Sequence, residues 1–106
     1  MTAYCFFDVR EVIDPAKLEE YTQRVLATVK QYQGRYRVLG GTCLSIEGNW
    51  KPAFPVLIEF PDIIMARNWY ESGEYKDVKA LRLEGSRCDA VIMESEPGEF
   101  IDTDPS

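Results

Sequence analysis

Two charged side chains stand where apolar neighbours dominate. Glu59 lies between Ile58 and Phe60, and Arg82 shares a helical face with Tyr75 and Val78. A carboxylate in an apolar setting is costly unless it is paired or protonated. As a site it would be an acid or base with a raised pKa, and as structure one half of an ion pair with an arginine. An arginine on an apolar face needs a fixed partner, either an internal carboxylate or a bound anion. Together the two permit proton transfer or isomerisation by Glu59 on a small anionic metabolite held by Arg82. Paired only with each other, they would be a structural salt bridge. Asp8 and Arg35 are further substrate-binding candidates, although each can be read as the polar end of a strand. Trp69, Tyr70 and Tyr75 form an aromatic group that could wall a small polar pocket. A stripe of that kind is more often core.

The rest of the inventory narrows the chemistry. The 106 residues include no histidine. That removes Ser-His-Asp and Cys-His catalysis and histidine-ligated zinc or haem. Cys5, Cys43 and Cys88 are far apart, odd in number and without metal-binding spacing, so they read as reduced, partly buried thiols. No metal, haem or other cofactor is expected. Twelve basic and 18 acidic side chains leave a net charge of -6, with the basic residues scattered. A phosphate backbone would be repelled, so nucleic acid is not an expected partner. No apolar run approaches the roughly 18 residues of a membrane span, and the N-terminus does not read as a signal peptide. The cytoplasm is the expected location.

Periodicity indicates the elements that must position these groups. Residues 4–10 read as a strand with bulky apolar groups on both faces: Tyr4, Phe6 and Asp8 on one, Cys5, Phe7 and Val9 on the other. Asp14-Pro15 is a helix start. Leu18, Tyr21, Val25, Val29 and Tyr32 form its apolar stripe, and Gly34 is the expected stop. Residues 35–46 read as a strand interrupted by a bulge or bend at Gly40-Gly41. A loop over 47–55 and a strand over 56–60 follow. Asp62 caps the next helix, Ser72-Gly73 ends it, residues 74–83 form a further short helix, and 88–94 form the last strand.

The resulting order, β-α-β-β-α-(α)-β, is that of a ferredoxin-like α+β domain: a four-stranded antiparallel sheet with its helices on one face. The other face remains apolar and needs a cover, and a second copy is the economical one, so a homodimer is expected. Residues 1–95 are read as the domain and 96–106 as an acidic C-terminal tail.

Longer stretches carry a family resemblance. The run Tyr32-Gln-Gly-Arg-Tyr-Arg-Val-Leu-Gly-Gly41 resembles that of the domain-of-unknown-function 1330 family. So do Glu47-Gly-Asn-Trp-Lys-Pro52, Val56-Leu-Ile-Glu-Phe-Pro61, Ala66, Trp69-Tyr-Glu-Ser72, Glu74-Tyr75 and Leu81-Arg82. Two turns depart from the pattern: Gln33-Gly34 stands where the family tends to have Gly-Gly, and Glu94-Ser95 where it often has Glu-Gly. The resemblance implies the dimeric α/β-barrel arrangement, two ferredoxin-like sheets packed face to face. It implies no settled activity. Relatives at the superfamily level include cofactor-free monooxygenases, lactone isomerases and haem-degrading enzymes, which is analogy from fold alone. Two readings remain open: a small-molecule enzyme or binding domain with a pocket between sheet and helices, and a non-enzymatic dimer acting in regulation or stress. A buried polar pocket holding both Glu59 and Arg82 would favour the first; a plain Glu59–Arg82 pair in a filled core would favour the second.

Overall fold

The structure is a computed structural model and describes residues 1–98. Its elements are β1 (Ala3–Val12), α1 (Pro15–Gln31), β2 (Arg35–Leu39), β3 (Pro55–Phe60), α2 (Ile63–Tyr70), α3 (Gly73–Gly85) and β4 (Ser86–Glu94). The four strands form one antiparallel sheet in the order β2-β3-β1-β4. This is the expected ferredoxin-like α+β fold. Most of the proposed acidic tail, from residue 99 on, lies outside the described residues.

The helix starts follow the local chemistry. Asp14 accepts hydrogen bonds from the Ala16 and Lys17 amides, with Pro15 at the first helical position. Asp62 accepts from the Met65 amide and Ser72 from the Tyr75 amide, so each short helix has its own N-cap. Helix α1 packs mainly on α3. The core lies between the helices and one sheet face, where Cys5, Phe7, Ile58 and Phe60 meet Val29, Ala66, Trp69 and Tyr75. Trp69 is its centre, 4.2 Å from Tyr75 and 5.4 Å from Phe60 between ring centroids. The Trp69 indole N–H is satisfied by the Thr28 hydroxyl at 3.0 Å. The molecule measures 45 × 36 × 19 Å, about two layers deep. Tyr4, Phe6, Leu57, Val91 and Met93 therefore lie on a sheet face that no helix among the described residues covers.

Two local expectations are corrected. The second strand ends at Leu39 rather than continuing to residue 46, and its register irregularity falls between Tyr36 and Val38. Gly40 and Gly41, at φ 70° and 99°, turn the chain out of the sheet instead of bending it within a strand. Residues 40–54 then form a loop. The left-handed residue after α1 is Gln33, at φ 63°, not Gly34. Gly34 is required for a different reason: a Cβ there would lie 2.6 Å from Val29 Cγ1 and 2.8 Å from the Phe60 ring. A side chain in the left-handed region carries a backbone cost that glycine avoids. Gln33→Gly is thus expected to stabilise the fold by roughly 0.5–1 kcal/mol, read by urea denaturation. A loss of stability would show that the Gln33 side chain contributes more than its backbone costs.

Candidate functional site

A cavity of about 480 Å³ lies between α1 and the sheet. Such a volume is within the range of small-molecule pockets. Its walls come from α1 (Leu18, Tyr21, Val25), the helix-facing side of the sheet (Phe7, Tyr36, Ile58) and one charged residue of α3, Arg82. Val12, Leu26, Leu39 and Phe54 line it as well and are also exposed, so they form an apolar mouth. No carboxylate and no lysine lines the cavity among the described residues.

Arg82 is 3% exposed. Its Nε donates to the Tyr75 hydroxyl at 3.4 Å and its Nη2 to the Tyr70 hydroxyl at 3.5 Å, both long contacts. The guanidinium carbon lies 4.9 Å from the centre of the Phe7 ring. Among the described residues no carboxylate pairs with it and Nη1 has no oxygen or nitrogen acceptor, although the Cys88 thiol lies against the guanidinium. Burial is the largest single influence and opposes the charge, but Tyr75, Tyr21 and Cys88 together outweigh it, and the pKa stays above the ordinary arginine value. Arg82 is therefore a cation at any physiological pH. The Tyr75 hydroxyl also meets the Tyr21 hydroxyl at 2.9 Å. Burial raises the pKa of Tyr21, Tyr75 and Tyr36, Tyr36 to about 12, with the neighbouring Tyr75 phenol adding to the rise in Tyr21 and Tyr36. All three are neutral phenols at pH 7. Burial also pushes the Cys5 thiol to about 12 and raises Cys88, whose rise the Arg82 charge partly opposes. Neither thiol is an activated nucleophile.

The sequence candidates separate into two groups. Glu59 and Arg82 lie on opposite faces of the sheet and do not form one site. Strand alternation sends Ile58 to the helices and Glu59 to the uncovered face, where its carboxylate meets Arg37 Nε and Nη2 at 3.3 Å each. Glu59 is 25% exposed and so is not a buried carboxyl. Arg35, opposite Glu59 in the ladder, is exposed at the strand start. Asp8 is on the same uncovered face, yet only 2% exposed. It accepts hydrogen bonds from the Ala53 and Phe54 amides at 2.9 and 3.0 Å and pairs with Arg10 at 3.2 Å, anchoring the end of the 40–54 loop. Beside it, Trp50 packs edge-on to Phe6. Of the aromatic group, Trp69 is core, while Tyr70 and Tyr75 stand behind Arg82 and orient it. Sequence reasoning missed Tyr21 and Tyr36. Both sit in apolar stripes, and only tertiary contacts bring their hydroxyls to the Arg82 corner.

A two-layer ferredoxin-like domain with a donor-lined apolar cavity describes a class of small α+β proteins. The chain belongs to the family described as domain of unknown function (DUF1330), which it matches over residues 2–95. No relative was found among curated proteins. Among solved structures it is similar to a dimeric ferredoxin-like protein of unknown function from Jannaschia sp. CCS1, at 12% identity and TM-score 0.69, covering 90% of this chain and 100% of that one. It is also similar to the RPA0582 protein of unknown function from Rhodopseudomonas palustris (11% identity, TM-score 0.67, 92% and 84% covered). A third similar structure is SnoaB, a cofactor-independent oxygenase from Streptomyces nogalater (16% identity, TM-score 0.56, 92% and 94% covered). At these identities the likeness is one of fold. No helix among the described residues is long and apolar enough to cross a membrane.

Proposed function

We propose that the chain binds a small, largely apolar metabolite with an anionic head in the α1–sheet cavity, as a homodimer in the cytoplasm. One observation carries this reading: Arg82, a buried cation without a carboxylate partner among the described residues, faces an apolar cavity. A guanidinium so placed is stabilised by an anion that the protein itself does not supply. The walls would bury the body of the ligand and Arg82 would fix its head. Catalysis in this setting is proton transfer, isomerisation or cofactor-free oxygenation of a substrate that is itself acidic, with the guanidinium and phenols stabilising negative charge on oxygen. Glu59, on the other face, takes no part in it. Arg35, Tyr70 and Tyr75 contact no ligand in this reading, and Asp8 serves the loop. Neither expected extreme holds, since Glu59 is paired with Arg37 while Arg82 is paired with no acid among the described residues.

Titration calorimetry with naphthalene-2-carboxylate is the direct test. Binding is expected, with 2-methylnaphthalene, which lacks the charge, bound more weakly. Equal binding of the two, or none of either, would overturn the reading.

The dimer follows from the uncovered face. Tyr4, Phe6, Leu57, Val91 and Met93 present a continuous apolar surface, and the Jannaschia protein of the same fold is described as dimeric. Two sheets packed through this face would give the dimeric α/β-barrel arrangement, with an interface above about 1,200 Å² if it is stable. Light scattering at micromolar concentration is expected to return twice the chain mass of 12.2 kDa. A monomer mass would refute it.

A further inference from the structure

The geometry points to Tyr21 as the residue that grips the ligand's head, through a hydroxyl proton aimed into the cavity by Arg82 and Tyr75. This rests on the ligand reading above and deepens it. A guanidinium has donors and no acceptor, so the Arg82 Nε–H must donate to the Tyr75 oxygen. Tyr75 has one hydrogen of its own. Apart from Arg82, the only side-chain partner of its hydroxyl among the described residues is the Tyr21 hydroxyl at 2.9 Å, and either of the two could donate. We take Tyr75 as the donor because it is fully buried, and its hydrogen would otherwise have no acceptor. The Tyr21 hydrogen is then left without a protein acceptor, on a side chain that lines the cavity. The chain Arg82→Tyr75→Tyr21 therefore runs in one direction and ends on a donor facing empty apolar space. Each link polarises the next, because the first donor is charged.

Arg82 Nη1 is a second donor of the same corner, without an oxygen or nitrogen acceptor among the described residues and with only the weakly accepting Cys88 sulfur near the guanidinium. A corner that offers donors and no acid selects a strong acceptor. The head it fits is an oxygen anion: a carboxylate, or the ionised oxygen of an acidic enol or phenol. A neutral amide carbonyl could accept from both donors but would leave the Arg82 charge uncompensated, and an amine would place a cation beside Arg82. The sheet supplies the third phenol, Tyr36, whose raised pKa keeps it a donor too. Tyr75 touches no ligand in this arrangement. It is a positioning residue, and Tyr21 is the contact.

Binding of naphthalene-2-carboxylate, 2-naphtholate and 2-methylnaphthalene to wild type, Tyr21→Phe, Tyr75→Phe and the double variant tests this, with melting temperatures as the fold control. Loss of one hydrogen bond to a charged group corresponds to roughly 10- to 150-fold in affinity. Tyr21→Phe is expected to lose that factor for the two anions and nothing for 2-methylnaphthalene. Tyr75→Phe is expected to lose less. The double variant should lose less than the two single losses combined, because Tyr75 reaches the head through Tyr21 as well as by holding Arg82. Whichever anion wild type prefers identifies the head as carboxylate or as enol or phenol oxygen. Unchanged anion binding in Tyr21→Phe, with wild type still binding through Arg82, would overturn the role of Tyr21 and leave the ligand site standing. Losses that add in the double variant would overturn the relay. Failure of wild type to bind either anion would overturn both the relay and the ligand reading.

Discussion

Arg82→Met is expected to weaken binding of naphthalene-2-carboxylate by roughly 10- to 150-fold, the loss of one charged hydrogen-bonded contact, while moving the melting temperature by only a few degrees. The two effects separate because Arg82 has no acid to strand among the described residues. In a buried ion pair, removing one partner leaves the other charge uncompensated and costs roughly 3–5 kcal/mol. Here the residues left behind are the Tyr75 and Tyr70 hydroxyls, neutral groups released from contacts of 3.4 and 3.5 Å. Those are long hydrogen bonds and individually weak. The stacking on Phe7 adds about 1 kcal/mol in favour of arginine. Against it stands the desolvation of a guanidinium that is 3% exposed, which a thioether of similar length does not incur. The terms nearly cancel. Arg82→Lys keeps the charge and loses the fork, so it should bind the anion with intermediate affinity. A fall of more than about 10 °C in Arg82→Met, with no anion stabilising wild type, would make Arg82 a structural residue.

Arg82 was legible in the sequence because helical periodicity alone sets it beside Tyr75 and Val78, and a charge on such a face needs a reason. The same holds for Asp14-Pro15 and Asp62, whose capping is local chemistry, and for the two-faced strand that became β1. Glu59 was misplaced for an instructive reason. A period of two divides a strand into faces without saying which face the helices will take. That choice is fixed by crossover topology, and it put Ile58 inward and Glu59 beside Arg37. The glycine pair at residues 40 and 41 gives one signal for two outcomes, a bulge within a strand or an exit from it. The exit wins because Asp8, 45 positions from Ala53, fixes the far end of the loop. Tyr21 and Tyr36 counted simply as apolar positions. Their hydroxyls acquire meaning only when α1 is laid over β2 and α3, a tertiary event that no local pattern encodes.

Asp8→Ala should be among the most destabilising single changes outside the aromatic core, at about 2–4 kcal/mol in urea denaturation. Asp8 is one of the few charged side chains the fold buries, and it has three partners. Its Oδ1 accepts from two consecutive amides, Ala53 and Phe54, just before the chain enters β3. These amides have no other acceptor among the described residues, and an alanine supplies none. Each partly buried N–H left unsatisfied costs about 1–3 kcal/mol, reduced where water can reach it. The effect should extend to the cavity on the other face. Phe54 lines its mouth, its carbonyl accepts from the Val9 amide, and its ring fills the space a Cβ on Gly40 would occupy. Releasing the 53–54 segment therefore loosens the rim, and naphthalene-2-carboxylate should bind more weakly to Asp8→Ala although Asp8 never touches it. Asp8→Asn separates anchoring from charge. Its side-chain carbonyl can still accept from both amides, while the pairing with Arg10, half exposed on the arginine side, is lost at a cost of about 1 kcal/mol or less. Asn should thus restore most of the stability and the probe affinity. An Asp8→Ala protein within 0.5 kcal/mol of wild type would mean that water replaces the carboxylate at both amides and that the loop holds itself in place.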